Sequence, residues 1–153
     1  MKTIMTRRTL LIALAALGVD VAVRARDALA ADCVLIKNAK NPTAALSKSE
    51  ARKIFTGATK QWSGGSVVQV VLGEEAAPET QWLAARVFGT SAKDMLSKMK
   101  QEIFRGEMKR PVMVKSSADT AQAVLSRDGA IGVVDGATAA NLPAGVVVLK
   151  MNE

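Results

Sequence analysis

The stretch that most constrains the fold is residues 126–135, S-R-D-G-A-I-G-V-V-D. Arg127 fits the last turn of a helix, where a cation meets exposed carbonyl groups, and Gly129 suits the left-handed position that closes many helices. Residues 130–134 then form an apolar run with Gly132 inside it. Such a run is typical of a strand buried on both faces and approached closely by a helix or a ligand. Taken alone, the stretch predicts a helix-to-strand connection of an α/β domain.

Strand and helix signals alternate along the rest of the chain. Helices are predicted after the capping patterns of Ser47, Ser91 and Ser116, and from Pro78. Strands are predicted at residues 33–37, 67–72, 111–115, 130–134 and 146–150. This order predicts one α/β domain with a mostly parallel sheet and helices on both faces, and it allows an antiparallel strand at one edge.

Three apolar side chains are interpreted as core. Met95 and Met99 recur at helical spacing, which predicts a buried helix face rather than a cofactor site. Trp62 follows a predicted helix and is interpreted as a lid over it, with a ligand platform as the alternative. Cys33 is the only cysteine, which excludes an internal disulfide.

Residues 1–30 have the pattern of an export signal. They contain a basic start, an apolar run of 11 residues and a small-x-small pattern at residues 28–30. The run is too short for a membrane-spanning helix of about 20 residues. We therefore predict cleavage after Ala30, which leaves residues 31–153 as a periplasmic domain without membrane insertion.

The arginine pair Arg7-Arg8 lies in the sequence T-R-R-T-L-L, which resembles the twin-arginine export motif. Arg24 and Arg26 follow the apolar run and favour the same route. A general secretory signal with two chance arginines is the alternative.

Composition excludes several function classes. The net charge of +7 falls to +4 for residues 31–153, with 16 basic and 12 acidic residues interspersed and few aromatics, so nucleic-acid binding is not expected. The absence of histidine removes a histidine base and a histidine metal ligand, and it leaves Cys33 without a histidine partner for nucleophilic catalysis. The sequence therefore predicts a non-enzymatic protein without a cofactor or metal.

Three segments, in sequence order, carry a resemblance to a known family. Residues 46–62 contain a predicted helix, the sequence I-F-T-G and then a tryptophan, residues 67–72 are the strand that follows, and residues 128–134 read D-G-A-I-G-V-V. Together they resemble the substrate-binding proteins of phosphate ABC transporters. The resemblance implies one lobe of the two-lobed, type II periplasmic-binding-protein fold, with a small anion and the transporter's membrane component as partners.

Size is the first departure from that family, whose full members trap the anion between two lobes. Residues 31–153 provide about one lobe. An anion bound to one lobe stays open to water, where a higher effective dielectric weakens charge-assisted hydrogen bonds. A homodimer would be needed to supply the other wall.

The anion-binding loop is the second departure. The family's arginine position falls on Gly73, and Pro78 lacks the amide hydrogen that a phosphate would need. Only Thr80 keeps a hydroxyl. Three carboxylates stand where the anion would lie: Glu74, Glu75 and Glu79. A calcium site is the alternative for these carboxylates, but they lack the spacing of a known calcium loop, so the sequence predicts a solvated acidic loop.

A second anion candidate is the helix start at Lys115, Ser116 and Ser117, where free amides and hydroxyls are expected. The alternative is a plain helix cap formed with Asp119. The predicted ligand-binding residues are thus Ser116, Ser117 and Thr80.

Two function classes remain open. One is an extracytoplasmic solute-binding protein of an ABC importer with a degenerate phosphate loop. The other is a binding-fold module that contacts a protein partner and binds no small solute. The altered anion-binding loop favours the second class, the module that contacts a protein partner.

Overall fold

The computed structural model describes residues 33–153, so the leader and the cleavage point predicted within residues 1–30 lie outside the described residues. The strands are β1 Val34–Asn38, β2 Ala45–Ser47, β3 Gln69–Leu72, β4 Val112–Met113, β5 Ala130–Val134 and β6 Val146–Asn152. The α-helices are α1 Lys48–Phe55, α2 Pro78–Leu83, α3 Ala92–Phe104, α4 Ser117–Leu125 and α5 Gly136–Ala140. A π-helical turn, Ala84–Phe88, continues α2.

One six-stranded sheet has the order β2-β6-β1-β5-β3-β4. The pairs β2–β6, β5–β3 and β3–β4 are parallel, which agrees with the predicted mostly parallel sheet. The antiparallel strand, however, is central rather than at an edge. It is β1, in which Leu35 faces Val133 of β5 on one side and Leu149 of β6 on the other.

Helices cover both faces of the sheet, as predicted. The larger core lies under α1, α2 and α3, where Phe55, Leu83 and Met95 pack with Leu35 and Ile131. The smaller core lies under α4, whose inward residues pack on the opposite face of β1, β3 and β5. None of the helices formed by residues 33–153 is long and apolar enough to cross a membrane.

The capping serines begin their helices as predicted. Ser47 Oγ accepts from Glu50 N at 3.2 Å, and Ser47 N donates to Glu50 Oε2 at 2.7 Å. The Ser47 backbone amide, and after it the Ser47 hydroxyl, stabilise the Glu50 carboxylate and hold the pKa of Glu50 below its usual value. At α3 and α4 the serine accepts the amide of an aspartate, Asp94 or Asp119. These two caps consist of the serine bond alone, because aspartate has a shorter side chain than the glutamate that completes the capping box at Ser47.

The predicted core residues are buried. Met95 and Met99 are 1% and 2% exposed, which confirms the helix face. Trp62 packs into the same core, and its Nε1 donates to Gly129 O at 2.9 Å. Trp62 is therefore a lid, as predicted.

Gly129 is where the sequence interpretation is wrong. The helix ends at Leu125, Ser126 follows with φ −80°, and Gly129 is not among the glycines with positive φ. The reason for a glycine is a close approach instead, because a Cβ at Gly129 would lie 1.8 Å from Val67 O. Arg127 lies two residues beyond the last helical residue and not in the last turn as predicted, but its Nη1 does meet an exposed carbonyl, Ala123 O, at 3.3 Å.

The local sequence pattern missed one strand and misplaced the start of another. Strand β2 is absent from the predicted strands and is formed through parallel pairing with β6. Strand β3 begins at Gln69 rather than at residue 67, because Val67 forms an isolated bridge with Gln61.

Candidate functional site

The candidate site lies at the edge where β3, β4 and β5 end. These strands are parallel, so their last residues share one edge of the sheet. The loop after β3 leads into α2, and the segment after β4 leads into α4. The N-termini of both helices therefore meet at this edge, which is where open parallel sheets usually bind ligands.

Ser117 is the centre of the hydrogen bonds at this edge. Its hydroxyl donates to Glu79 Oε1 and accepts from Asp135 N at 3.0 Å. Ser117 is buried, and Glu79 is half-buried. Three segments are thereby joined: the start of α2, the start of α4 and the end of β5.

The Glu79 carboxylate lies where a bound anion would be favoured. Ser117 is the first residue of α4, so the carboxylate contacts the helix end that carries the positive end of the dipole. The hydroxyl that would have been offered to an external anion is already donated to Glu79. This arrangement places a negative charge of the chain itself beside the N-terminus of α4.

Ser116 is the cap of α4. Its hydroxyl accepts from Asp119 N at 3.1 Å, and its carbonyl oxygen accepts from Thr120 Oγ1 at 3.2 Å. The hydroxyl therefore makes the bond of a plain helix cap, which is the alternative to an anion site that the sequence leaves open. Its side chain stays exposed, and a role in ligand binding remains a prediction.

Thr80 is deeply buried, at 1% exposure, and its Oγ1 has no hydrogen-bond partner. The hydroxyl lies 3.1 Å from the position that a Cβ would occupy on Gly73, the residue at the family's arginine position. Thr80 thus packs beneath the loop after β3 and is enclosed. The structure brings Thr80 and Ser117 to the same edge of the sheet.

Glu79 forms no ion pair within the described part of the chain. The ion pairs found within residues 33–153 are Lys40–Asp128, Lys60–Glu107 and Arg105–Glu102, and none involves Glu79. Glu74 and Glu75 are exposed in the loop before α2. In the same part of the chain, no three acidic, cysteine or histidine side chains come together to hold a metal ion.

Sequence reasoning treated Glu79 as one of three similar carboxylates. The structure distinguishes Glu79 from the other two, because Glu79 accepts a hydrogen bond from the Ser117 hydroxyl of another helix. The backbone amide of Asp135 was not anticipated either. A signal was present in the sequence, since Pro78 predicts the first position of a helix and so places Glu79 in the first turn.

No family model matches this chain, and no curated protein matches it significantly. Solved structures do match. An ABC-type phosphate transport receptor from Vibrio cholerae superposes with a TM-score of 0.57 at 14% identity, covering 78% of this chain and 46% of the receptor. PstS from Borrelia burgdorferi gives 0.55 at 13%, covering 80% and 47%.

A protein from Clostridium perfringens, assigned as a phosphate ABC transporter substrate-binding protein and solved with phosphate bound, gives a TM-score of 0.58 at 20% identity. The match covers 78% of this chain and 44% of that protein. The chain therefore spans less than half the length of the solved structures that it matches. These similarities confirm the fold implied by the sequence: the chain has the α/β fold of part of a phosphate transporter's substrate-binding protein.

Proposed function

We propose that this chain is a non-enzymatic, extracytoplasmic binding module that acts through a protein partner and does not hold free phosphate tightly. The observation that carries this proposal is the Ser117 hydroxyl, donated to the chain's own Glu79 while it accepts the Asp135 amide. The site that would receive an anion is occupied by a carboxylate of the same chain. The membrane component of an ABC importer is one candidate for the partner.

Two further observations support weak phosphate binding. Gly73 stands at the arginine position of the resembling family, so the bidentate donor that recognises phosphate is missing. The described residues match less than half the length of the compared proteins, so they supply one side of such a site. A site that is open to water weakens hydrogen bonds to phosphate, and its carboxylates repel the anion.

Calorimetry with inorganic phosphate tests the proposal directly. We expect a dissociation constant no tighter than about 1 mM, equivalent to roughly −4 kcal/mol. A micromolar constant would overturn the proposal, because the Ser117 hydroxyl is already donated to Glu79 and residue 73 is a glycine where the family has an arginine.

Solute binding as part of an ABC importer is the second candidate function. The fold similarity to phosphate-binding proteins favours it, and a homodimer could supply the missing wall. A thermal-shift screen with common anions separates the two functions. A true ligand raises the melting temperature progressively with concentration, by mass action.

Export is the remaining part of the proposal. The basic start, the apolar run and Ala28-Leu29-Ala30 predict a mature N-terminus at Ala31. Mass spectrometry of protein from its native host should find that N-terminus. Arg7→Lys with Arg8→Lys is expected to trap precursor inside the cell, and unchanged export would rule out the twin-arginine route. An intact Met1 on most of the protein would contradict export with cleavage.

A further inference from the structure

A groove of about 780 Å³ opens at the opposite edge of the sheet from the Ser117–Glu79 contact. Gln69 and Val112 line it at the starts of β3 and β4, and Arg127 lines it just before β5. Because these three strands are parallel, their first residues lie at the edge away from the N-termini of α2 and α4. The groove is therefore distinct from the candidate anion site.

The groove combines a buried apolar floor with a basic rim. The floor is apolar: Ile54, Val68, Val70 and Met108. The rim carries four cations: Lys60, Lys109, Arg110 and Arg127. Among the described lining residues the only acid is Glu107, whose carboxylate is 3.9 Å from Lys60 Nζ. Positive charge is therefore concentrated here, although charges are interspersed along the sequence.

An open sheet edge runs beside this groove. Strand β4 is the last strand of the sheet on this side, so the outer backbone groups of its two residues are not paired with another strand. Two apolar side chains in this region are exposed: Val67, which lines the groove, at 41%, and Met113 of β4 at 57%. Exposed apolar surface rimmed by polar groups marks interaction sites. An extended peptide could add to such an edge while its side chains alternate between floor and rim.

We propose that this groove docks an extended acidic segment of a partner protein, with apolar side chains on the floor and carboxylates against the four rim cations. The inference rests on the proposed function, which requires a protein partner, and it adds the surface and the chemistry of the contact. Charge complementarity supports this proposal, because opposite charges on two partners speed their encounter and fix how they align.

Two other occupants fit the groove less well. None of the described lining residues is aromatic, so the stacking platform of a single-stranded nucleic-acid site is missing. A second copy of the chain is disfavoured because residues 31–153 carry a net charge of +4 and would repel one another.

Fluorescence anisotropy with a labelled peptide, Glu-Val-Glu-Leu-Glu-Val-Glu-Leu, tests the proposal. We expect the purified protein to bind this peptide at low salt and to lose at least about tenfold in affinity when Lys109→Glu and Arg110→Glu are combined, since like charges then oppose each other. Both side chains are exposed, so the fold should be unaffected. Amide chemical shifts on titration should move at Gln69 and Lys109 and stay unchanged at Glu79.

The matched control is Lys98→Glu with Lys100→Glu, which makes the same change in net charge at exposed positions of α3. We expect it to change peptide affinity by less than about twofold, because screened charges outside the groove contribute little. Equal losses in both double variants would overturn the proposal, as would no binding by the wild-type protein or tighter binding of an oligonucleotide of equal charge. Salt-sensitive self-association in sedimentation would assign the groove to a second copy instead.

These outcomes are separable from failure of the proposed function. Micromolar phosphate binding would refute the proposed function, but it would concern only the edge of the sheet that holds Glu79. Failure of the peptide to bind the groove would refute the groove proposal and would leave the expectation of weak phosphate binding unchanged.

Discussion

Phosphate is expected to bind the Glu79→Ala variant at least about ten times more tightly than the wild-type protein, a gain of about 1.4 kcal/mol. The substitution removes a negative charge from the N-terminus of α4 and frees the Ser117 hydroxyl, which currently donates to Glu79. Two unit charges 4 Å apart interact by about 4 kcal/mol at an effective dielectric of 20. A half-open site retains only part of that repulsion, so a tenfold effect is a modest expectation.

Glu74→Ala is the matched control, because it removes the same charge from an exposed position in the same loop. Calorimetry should show less than about a twofold change for this variant, since a solvated charge is screened. Equal changes in both variants would mean that Glu79 acts through net charge alone. No change in either would show that this edge of the sheet does not receive phosphate.

Gly129→Ala is expected to be among the most destabilising single substitutions in the domain, at about 4 kcal/mol or more. The added Cβ would lie 1.8 Å from Val67 O and 2.8 Å from Val67 C, so a backbone segment must move. That segment cannot shift freely, because Val68 N donates to Lys60 O and Gln69 N donates to Gly129 O itself. Urea unfolding of the variants measures the cost.

Two other glycines calibrate this result. At Gly132 the nearest atom to a Cβ is Thr120 Cγ2 at 2.5 Å, a side-chain obstacle, so Gly132→Ala should fall in the overpacking range of about 1–3 kcal/mol. Gly65 has φ 89° with no atom near its Cβ position, so Gly65→Ala should cost about 1–2 kcal/mol from backbone conformation alone. If Gly129→Ala proves no more costly than Gly65→Ala, the close approach to Val67 is not a constraint on the fold.

The sequence predicted features that depend on neighbours along the chain. Capping by Ser47, the methionine face of α3 and the Arg127 contact at the end of α4 all follow from spacings of three or four residues. The reason for Gly129 did not follow, because the obstacle, Val67, lies far away in sequence. The Ser117–Glu79 bond joins residues 38 positions apart and was equally invisible, although both residues had been singled out.

Strand order was hidden for the same reason. The apolar run of β1 predicts burial, and β1 is indeed buried along most of its length. Burial is the same for a parallel and an antiparallel central strand, so the run carried no information about direction. Only pairing with β5 and β6 distinguishes the two cases.

The central position of β1 has a consequence for how the protein is made. Both neighbours of this early strand come from the last part of the chain, in the registers Leu35–Val133 and Leu35–Leu149. Loop closure over such separations is slow, and the contacts cannot form until those residues have been synthesised. A growing chain therefore keeps the middle of its sheet open until β5 and β6 have left the ribosome, and its apolar first strand is available to chaperones throughout synthesis.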